Sequence, residues 1–280
     1  MALRSRASRR HIPVPKAPFI PSMRRPVRKV LTAILAVFLF PLAVHAALHA
    51  VKGGPASFRD ADWSSVGMLQ PASADKEARL LVFTGRTGRW KGIFAVHSWV
   101  VFKPEGATTW SRYDVVGWGN PVRSNGWAPD GRWFGDTPRV LVDVRGADAA
   151  ALIPKVKAAI ADYRFHNAGD YVIWPGPNSN TFTAAVLRAV PELATTLPPN
   201  AIGKDFRPLP YAGLTDSGTG VEASLWGALG VKLGWVEGIE VNFLGLVAGL
   251  DIRHPALKLP GFGRIGIDDG TAIAAPAPAR

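Results

Sequence analysis

Ile93-Phe94-Ala95-Val96-His97-Ser98-Trp99-Val100-Val101-Phe102 is the stretch that decides how the body of this chain folds. It has no helical stripe. On a two-residue period Ile93, Ala95, His97, Trp99 and Val101 share one face of a strand. Upstream, Arg79-Leu80-Leu81-Val82-Phe83 is a short apolar run closed by Gly85 and reads as another strand. Downstream, residues 113–118 and 140–144 read as two more, with a loop dense in Gly, Pro and Trp at 119–138.

The period then changes. Leu152, Val156, Ala159, Ile160 and Tyr163 fall on one face of a helix over 148–165, with Asp148 as its expected cap. Tyr171-Val172-Ile173-Trp174 is expected to be a strand, stopped by Pro175-Gly176-Pro177. A helix over 181–190 follows, with Ser179 or Asn180 as cap. Strands followed by helix, strand and helix define an α+β layout for residues 76–205.

Past Asp205 the composition turns Gly-rich. Val231, Leu233, Trp235, Ile239, Val241 and Phe243 alternate with Lys232, Gly234, Glu240 and Asn242, so residues 206–270 read as a β extension. Residues 271–280 are an Ala/Pro tail expected to be disordered.

The net charge of +12 suggests nucleic acid until it is located. Arg4, Arg6, Arg9, Arg10, Lys16, Arg24, Arg25, Arg28 and Lys29 precede the first acidic residue, Asp60. Without those nine cations about +3 remains for the rest, and no nucleic-acid partner is expected. Residues 30–51 contain no Asp, Glu, Lys or Arg and would reach roughly 33 Å as a helix, enough to cross a bilayer. The expectation is a basic cytoplasmic tail at 1–29, a transmembrane helix or signal anchor at 30–51 and a linker at 52–75. With positive charge inside, the main domain would be periplasmic, on a single-pass protein of a bacterial inner membrane. Val44-His45-Ala46 also offers a signal-peptidase site, so cleavage after Ala46 is the alternative.

The chain has no cysteine, which removes disulfides and thiolate chemistry. His97, His166 and His254 are far apart, so neither a metal nor a cofactor is expected. Gly261-Phe262-Gly263-Arg264-Ile265-Gly266 matches a dinucleotide fingerprint in letters only. No strand leads into it and Asp268-Asp269-Gly270 stands where a helix should start, so a Gly-rich hairpin or loop is expected.

The remaining candidates are His97 and Ser179. Ser179 lies where a helix begins, near backbone N–H groups that could stabilise an oxyanion, and His97 could be its base. Asp114 or Asn178 could orient the imidazole. The plainer reading makes Ser179 a helix cap and His97 a core residue. Trp99, Asn178 and Asn180 are the neighbours expected to meet a ligand.

Arg86-Thr87-Gly88-Arg89-Trp90-Lys91-Gly92, Ala95-Val96-His97-Ser98-Trp99, Arg112-Tyr113-Asp114-Val115-Val116-Gly117-Trp118-Gly119, Trp174-Pro175-Gly176-Pro177-Asn178-Ser179-Asn180-Thr181-Phe182 and Ala201-Ile202-Gly203-Lys204-Asp205 resemble an uncharacterised bacterial domain-of-unknown-function family. More distantly the chain resembles the circularly permuted papain-like, NlpC-type superfamily. That resemblance implies a papain-like domain with His97 as the strand histidine and Ser179 in place of the cysteine. A serine hydroxyl is much harder to ionise than a thiol, so the likeness implies the fold more than the catalysis.

Three functions follow as expectations. The first is a membrane-anchored envelope protein that binds a peptide, lipid or cell-wall ligand. The second is a hydrolase or acyltransferase using Ser179, His97 and Asp114. The third is a scaffold that presents the β extension to a membrane or a partner.

Overall fold

The structure is a computed structural model and describes residues 24–267. Most of the expected cytoplasmic tail and all of the Ala/Pro tail lie outside the described residues.

Helix α1 (Arg24–Ile34) continues through a wider π turn, Leu35–Leu39, into α2 (Phe40–Lys52). The widened turn precedes Pro41, which has no N–H for the Val37 carbonyl and whose ring would crowd that oxygen in a regular turn. Residues Pro26–Lys52, 27 in number, form one helix long and apolar enough to cross a membrane. Its length is about 40 Å at the usual helical rise.

The first sheet is antiparallel in the order β4-β3-β2-β1-β5. It comprises β1 (Arg79–Arg86), β2 (Val96–Lys103), β3 (Ser111–Val115), β4 (Val122–Ser124) and β5 (Arg139–Arg145). Both faces are covered, so β2 is buried along its whole length. Leu80, Val82, Val100, Val142 and Val144 pack under α3 (Gly146–Ala161) and α4 (Ser179–Ala189), against Leu152, Val156, Phe182 and Val186. On the other face Leu81, Phe83, Trp99, Val101 and Trp133 form a second cluster, and Trp63, Leu69, Trp110 and Trp127 close over it. Each such side chain contributes about 1.5–3 kcal/mol on burial.

Several boundaries differ from expectation. Ile93 ends a short 3₁₀ turn, Arg89–Ile93, and the strand begins at Val96. Asp148 lies inside the first turn of α3, which starts at Gly146. The cap of α4 is Asn178, so Ser179 and Asn180 are its first helical residues and neither is the cap. Residues 171–174 are not a strand. The Val172 N–H folds back to the Pro177 carbonyl at 2.8 Å, and Pro175 and Pro177 bring no N–H for a ladder.

The second sheet is a seven-stranded meander in simple order, β12-β11-β10-β9-β8-β7-β6. Its strands are β6 (Tyr211–Leu214), β7 (Gly220–Leu225), β8 (Leu229–Gly234), β9 (Gly238–Phe243), β10 (Leu246–Asp251), β11 (Ala256–Leu259) and β12 (Gly263–Gly266). The fingerprint-like glycines belong to the β11–β12 hairpin. The whole is thus a mixed helix-and-sheet protein with one apolar N-terminal helix and two antiparallel sheets.

The inner face of the meander is charged. Glu222 pairs across the strands with Lys232, and Lys232 with Glu240. Residues flanking β6 bring the partners: Asp205 lies 2.8 Å from Lys232, and Lys204 lies 2.6 Å from Glu240. Arg207 bridges Asp216 and Glu222, while Lys258 also holds Glu240. Burial opposes the charge on Asp205, but Lys204 and Lys232 outweigh it and hold the carboxyl far below its ordinary range.

The helix is docked on the body. The Phe38 ring meets Phe243 at 5.7 Å and the His45 ring meets Phe262 at 5.0 Å. His49 Nε2 lies 2.9 Å from the Arg89 carbonyl oxygen, and Lys52 pairs with Asp136 at 3.3 Å.

Candidate functional site

The first turn of α4 sits beside the start of β2, where Asn180 ties the two together. Its amide donates to the carbonyls of Val96 and Ile202 at 2.9 and 2.8 Å, and its oxygen accepts from Ser98 Oγ at 2.8 Å. Asn178 caps the helix, accepting from the Asn180 and Thr181 amides and donating to the carbonyls of Ile173 and Ile202. Gly203, at φ +95°, passes so close that an added Cβ would lie 2.3 Å from the Asn178 amide nitrogen.

These bonds change what the helix end can offer. The amides of Asn180 and Thr181 are held by the Asn178 side chain, and that of Phe182 bonds the Asn178 carbonyl. Only the Ser179 amide of this first turn is left for an outside anion. The carboxamides of Asn178 and Asn180 are likewise engaged within the protein. Among the described residues none hydrogen-bonds Ser179 Oγ.

His97 is buried. Its Nε2 lies 3.3 Å from Asp114 Oδ2, and Arg112 holds that same oxygen at 2.8 Å. With Asp114 ionised, Nε2 carries the proton and Nδ1 keeps the lone pair. The ring lies flat on Trp133. Burial lowers the His97 pKa, and attraction to Asp114 only partly offsets this, so the imidazole is neutral near pH 7. For Asp114 burial acts upward, but the hydrogen bond from His97 and the charge of Arg112 outweigh it and keep the carboxyl below its ordinary range.

His97 and Ser179 line the same cavity of about 360 Å³, and no hydrogen bond joins them. Its walls come from Trp90, Phe94, Trp118, Phe134, Tyr171, Ile173 and Trp174, with Leu244 and Leu246 from the second sheet. The Trp174 indole donates to the Leu244 carbonyl at 3.0 Å, which closes that side. Asn178 and Asn180 reach the wall. Trp99 instead stands in the core, fully buried, with its indole N–H on the Pro129 carbonyl. Arg112 and Trp133 are given no site role by the sequence reading. The Arg112/Asp114 spacing was the available signal, since it puts both on one strand face.

Residues 77–206 match the model of a family described as protein of unknown function (DUF3750). This segment runs from just before β1 to the residue before Arg207, so it holds the cavity apart from the β9–β10 turn, and it supports placing that part in an uncharacterised family. No curated protein and no solved structure matches the chain.

Proposed function

We propose that this is a membrane-anchored envelope protein whose cavity receives the apolar part of a lipid-like ligand. The observation that carries the reading is the position of an aromatic and aliphatic cavity beside the apolar helix. The elements bearing Trp90 and Leu246 are among those that the helix touches. Such a cavity favours an acyl or similar chain over a charged peptide or glycan, because its polar side chains are mostly engaged internally. Docking of Phe38 and His45, both upstream of Ala46, on the body supports a retained anchor over cleavage after Ala46. The clustered N-terminal cations favour a cytoplasmic N-terminus and a periplasmic domain, at a bacterial inner membrane.

The test is titration of the full-length protein in detergent with dibrominated stearate, read as quenching of tryptophan fluorescence. Saturable quenching is expected, and Ile173→Asp, at a half-exposed wall position, should weaken it about tenfold. Linear, unsaturable quenching that Ile173→Asp leaves unchanged would sink the reading.

A second reading has its own support. Asp114 on Nε2 leaves the Nδ1 lone pair of His97 as a base, and Ser179 Oγ in the same cavity has no hydrogen-bond partner among the described residues. A serine hydrolase or acyltransferase of distant papain-like ancestry would use those groups. Against it stand the missing Ser179–His97 hydrogen bond and the single free amide at the helix end.

A further inference from the structure

The meander is amphipathic the wrong way round for a sheet in water. Leu214, Val221, Leu233, Ile239, Leu250, Leu257 and Ile265 are direct cross-strand neighbours in succession, one from each of the seven strands. All seven are exposed, from 41% for Ile239 to 62% for Leu214. A second row, Ala212, Ala223, Val231, Val241 and Ala248, runs beside it on the same face, with Ala248 buried on the strand that meets the helix. Neither row contains a charge, while the face beneath carries the buried ion pairs. Seven strands about 4.8 Å apart and about 20 Å long give a face of roughly 600 Å². Soluble monomers rarely leave more than a few hundred Å² of contiguous apolar surface open.

What covers this face is indicated by the helix. Phe243 lies on the outer side of β9, in register with Leu229 and Leu246, and it is the residue that Phe38 packs against at 5.7 Å. Phe38 is near the middle of the Pro26–Lys52 span. A bilayer that takes the helix therefore meets the rim of the sheet at hydrocarbon depth. Trp226 and Trp235, in the turns at opposite ends of β8, are exposed at 49% and 58%, where amphipathic rings would sit at a membrane boundary.

We propose that the outer face of β6–β12 is a membrane-contacting surface, seated against the acyl chains of the bilayer that holds the helix. The proposal rests on the anchoring argued above, and its test keeps the two apart. The chain has no cysteine, so single labels can be placed without background. Leu233→Cys and Leu257→Cys report on the face, Leu35→Cys on the helix and Glu105→Cys on an exposed turn of the first sheet. Each full-length variant would carry an environment-sensitive fluorophore in phosphatidylethanolamine/phosphatidylglycerol vesicles. It would then be quenched either by spin-labelled lipid or by aqueous iodide.

Lipid quenching at 233, 257 and 35 should exceed that at 105 by roughly threefold or more, with iodide giving the reverse order. Lipid quenching at 35 with iodide quenching at 233 and 257 overturns the face and leaves the anchor standing. Iodide quenching at 35 overturns the anchor and the face with it. Labels at 233 and 257 shielded from both quenchers, with energy transfer between differently labelled copies in detergent, overturn the lipid assignment in favour of a second copy of this chain.

Discussion

The imidazole of His97 lies on the indole of Trp133 with ring centroids 3.7 Å apart and planes 5° from parallel. One ring edge bonds Asp114 and one face is closed by the indole, so water reaches the imidazole only from the cavity. A protonated ring would lose solvation that Asp114, already shared with Arg112, does not restore.

This fixes the sign of a pH effect. The folded pKa of His97 is below its ordinary value of 6.5, so the unfolded chain binds the extra proton. Stability from this group is complete above pH 6.5 and falls as pH drops from there toward the folded pKa. The depressed carboxyls of Asp114, Asp205, Asp216 and Glu240 add a separate loss only at more acid pH, below their ordinary values of 3.8 and 4.5. Melting temperature followed in detergent should decline in both windows, and His97→Gln should flatten the upper one alone. An upper slope unchanged in that variant would show that another group causes it.

Ser179→Ala and Asn178→Ala should separate sharply although they are neighbours. Ser179 Oγ makes no hydrogen bond among the described residues and is not the cap, so its loss should cost under about 0.5 kcal/mol. Asn178 loses the cap and two further donations, worth about 2–3 kcal/mol by denaturant melts. If the serine reading holds, Ser179→Ala should also abolish hydrolysis of a long-chain nitrophenyl ester; equal turnover by both proteins would remove that reading.

Asn180→Ala should cost about 3 kcal/mol, because it strips the Val96 carbonyl and Ser98 Oγ of buried partners. Asn180→Asp should be no better, since it keeps the acceptor, loses both donors and adds a buried charge. Urea midpoints close to wild type for either variant would contradict the hub role.

Lys232→Met and Leu233→Ser are adjacent changes on opposite faces of β8. Lys232→Met leaves Asp205 and Glu222 short of a cation in a buried network and should cost about 3–5 kcal/mol. Leu233→Ser removes an exposed side chain and should change stability in detergent by under about 0.5 kcal/mol. A loss at Leu233→Ser as large as that at Lys232→Met would contradict the face assignment.

Much of the layout was legible because periodicity is local. The apolar run at 30–51, the strands around His97 and the alternation after Asp205 each carry a period that the structure repeats. What alternation lacks is a sign. Val231-Lys232-Leu233 says that one face is apolar, but which face turns inward depends on Lys204, Asp205, Arg207 and Asp216 arriving from another segment to match the charges. The strand expected at 171–174 failed for a related reason, since the Val172 N–H goes to the Pro177 carbonyl and the Ile173 carbonyl accepts from the Asn178 amide, which composition does not announce. At the site, His97 and Ser179 could be named from local patterns, whereas stacking on Trp133 joins residues far apart in sequence, which no spacing announces.

The contacts of Phe38, His45, His49 and Lys52 reach the second sheet at one end and the loops of the first at the other. They leave the helix no swivel. A body hung on a free tether would sample every azimuth above its membrane, but this one is clamped to its own axis at two levels. The cavity mouth consequently keeps one bearing with respect to the helix, and whatever the cavity accepts must approach along that heading.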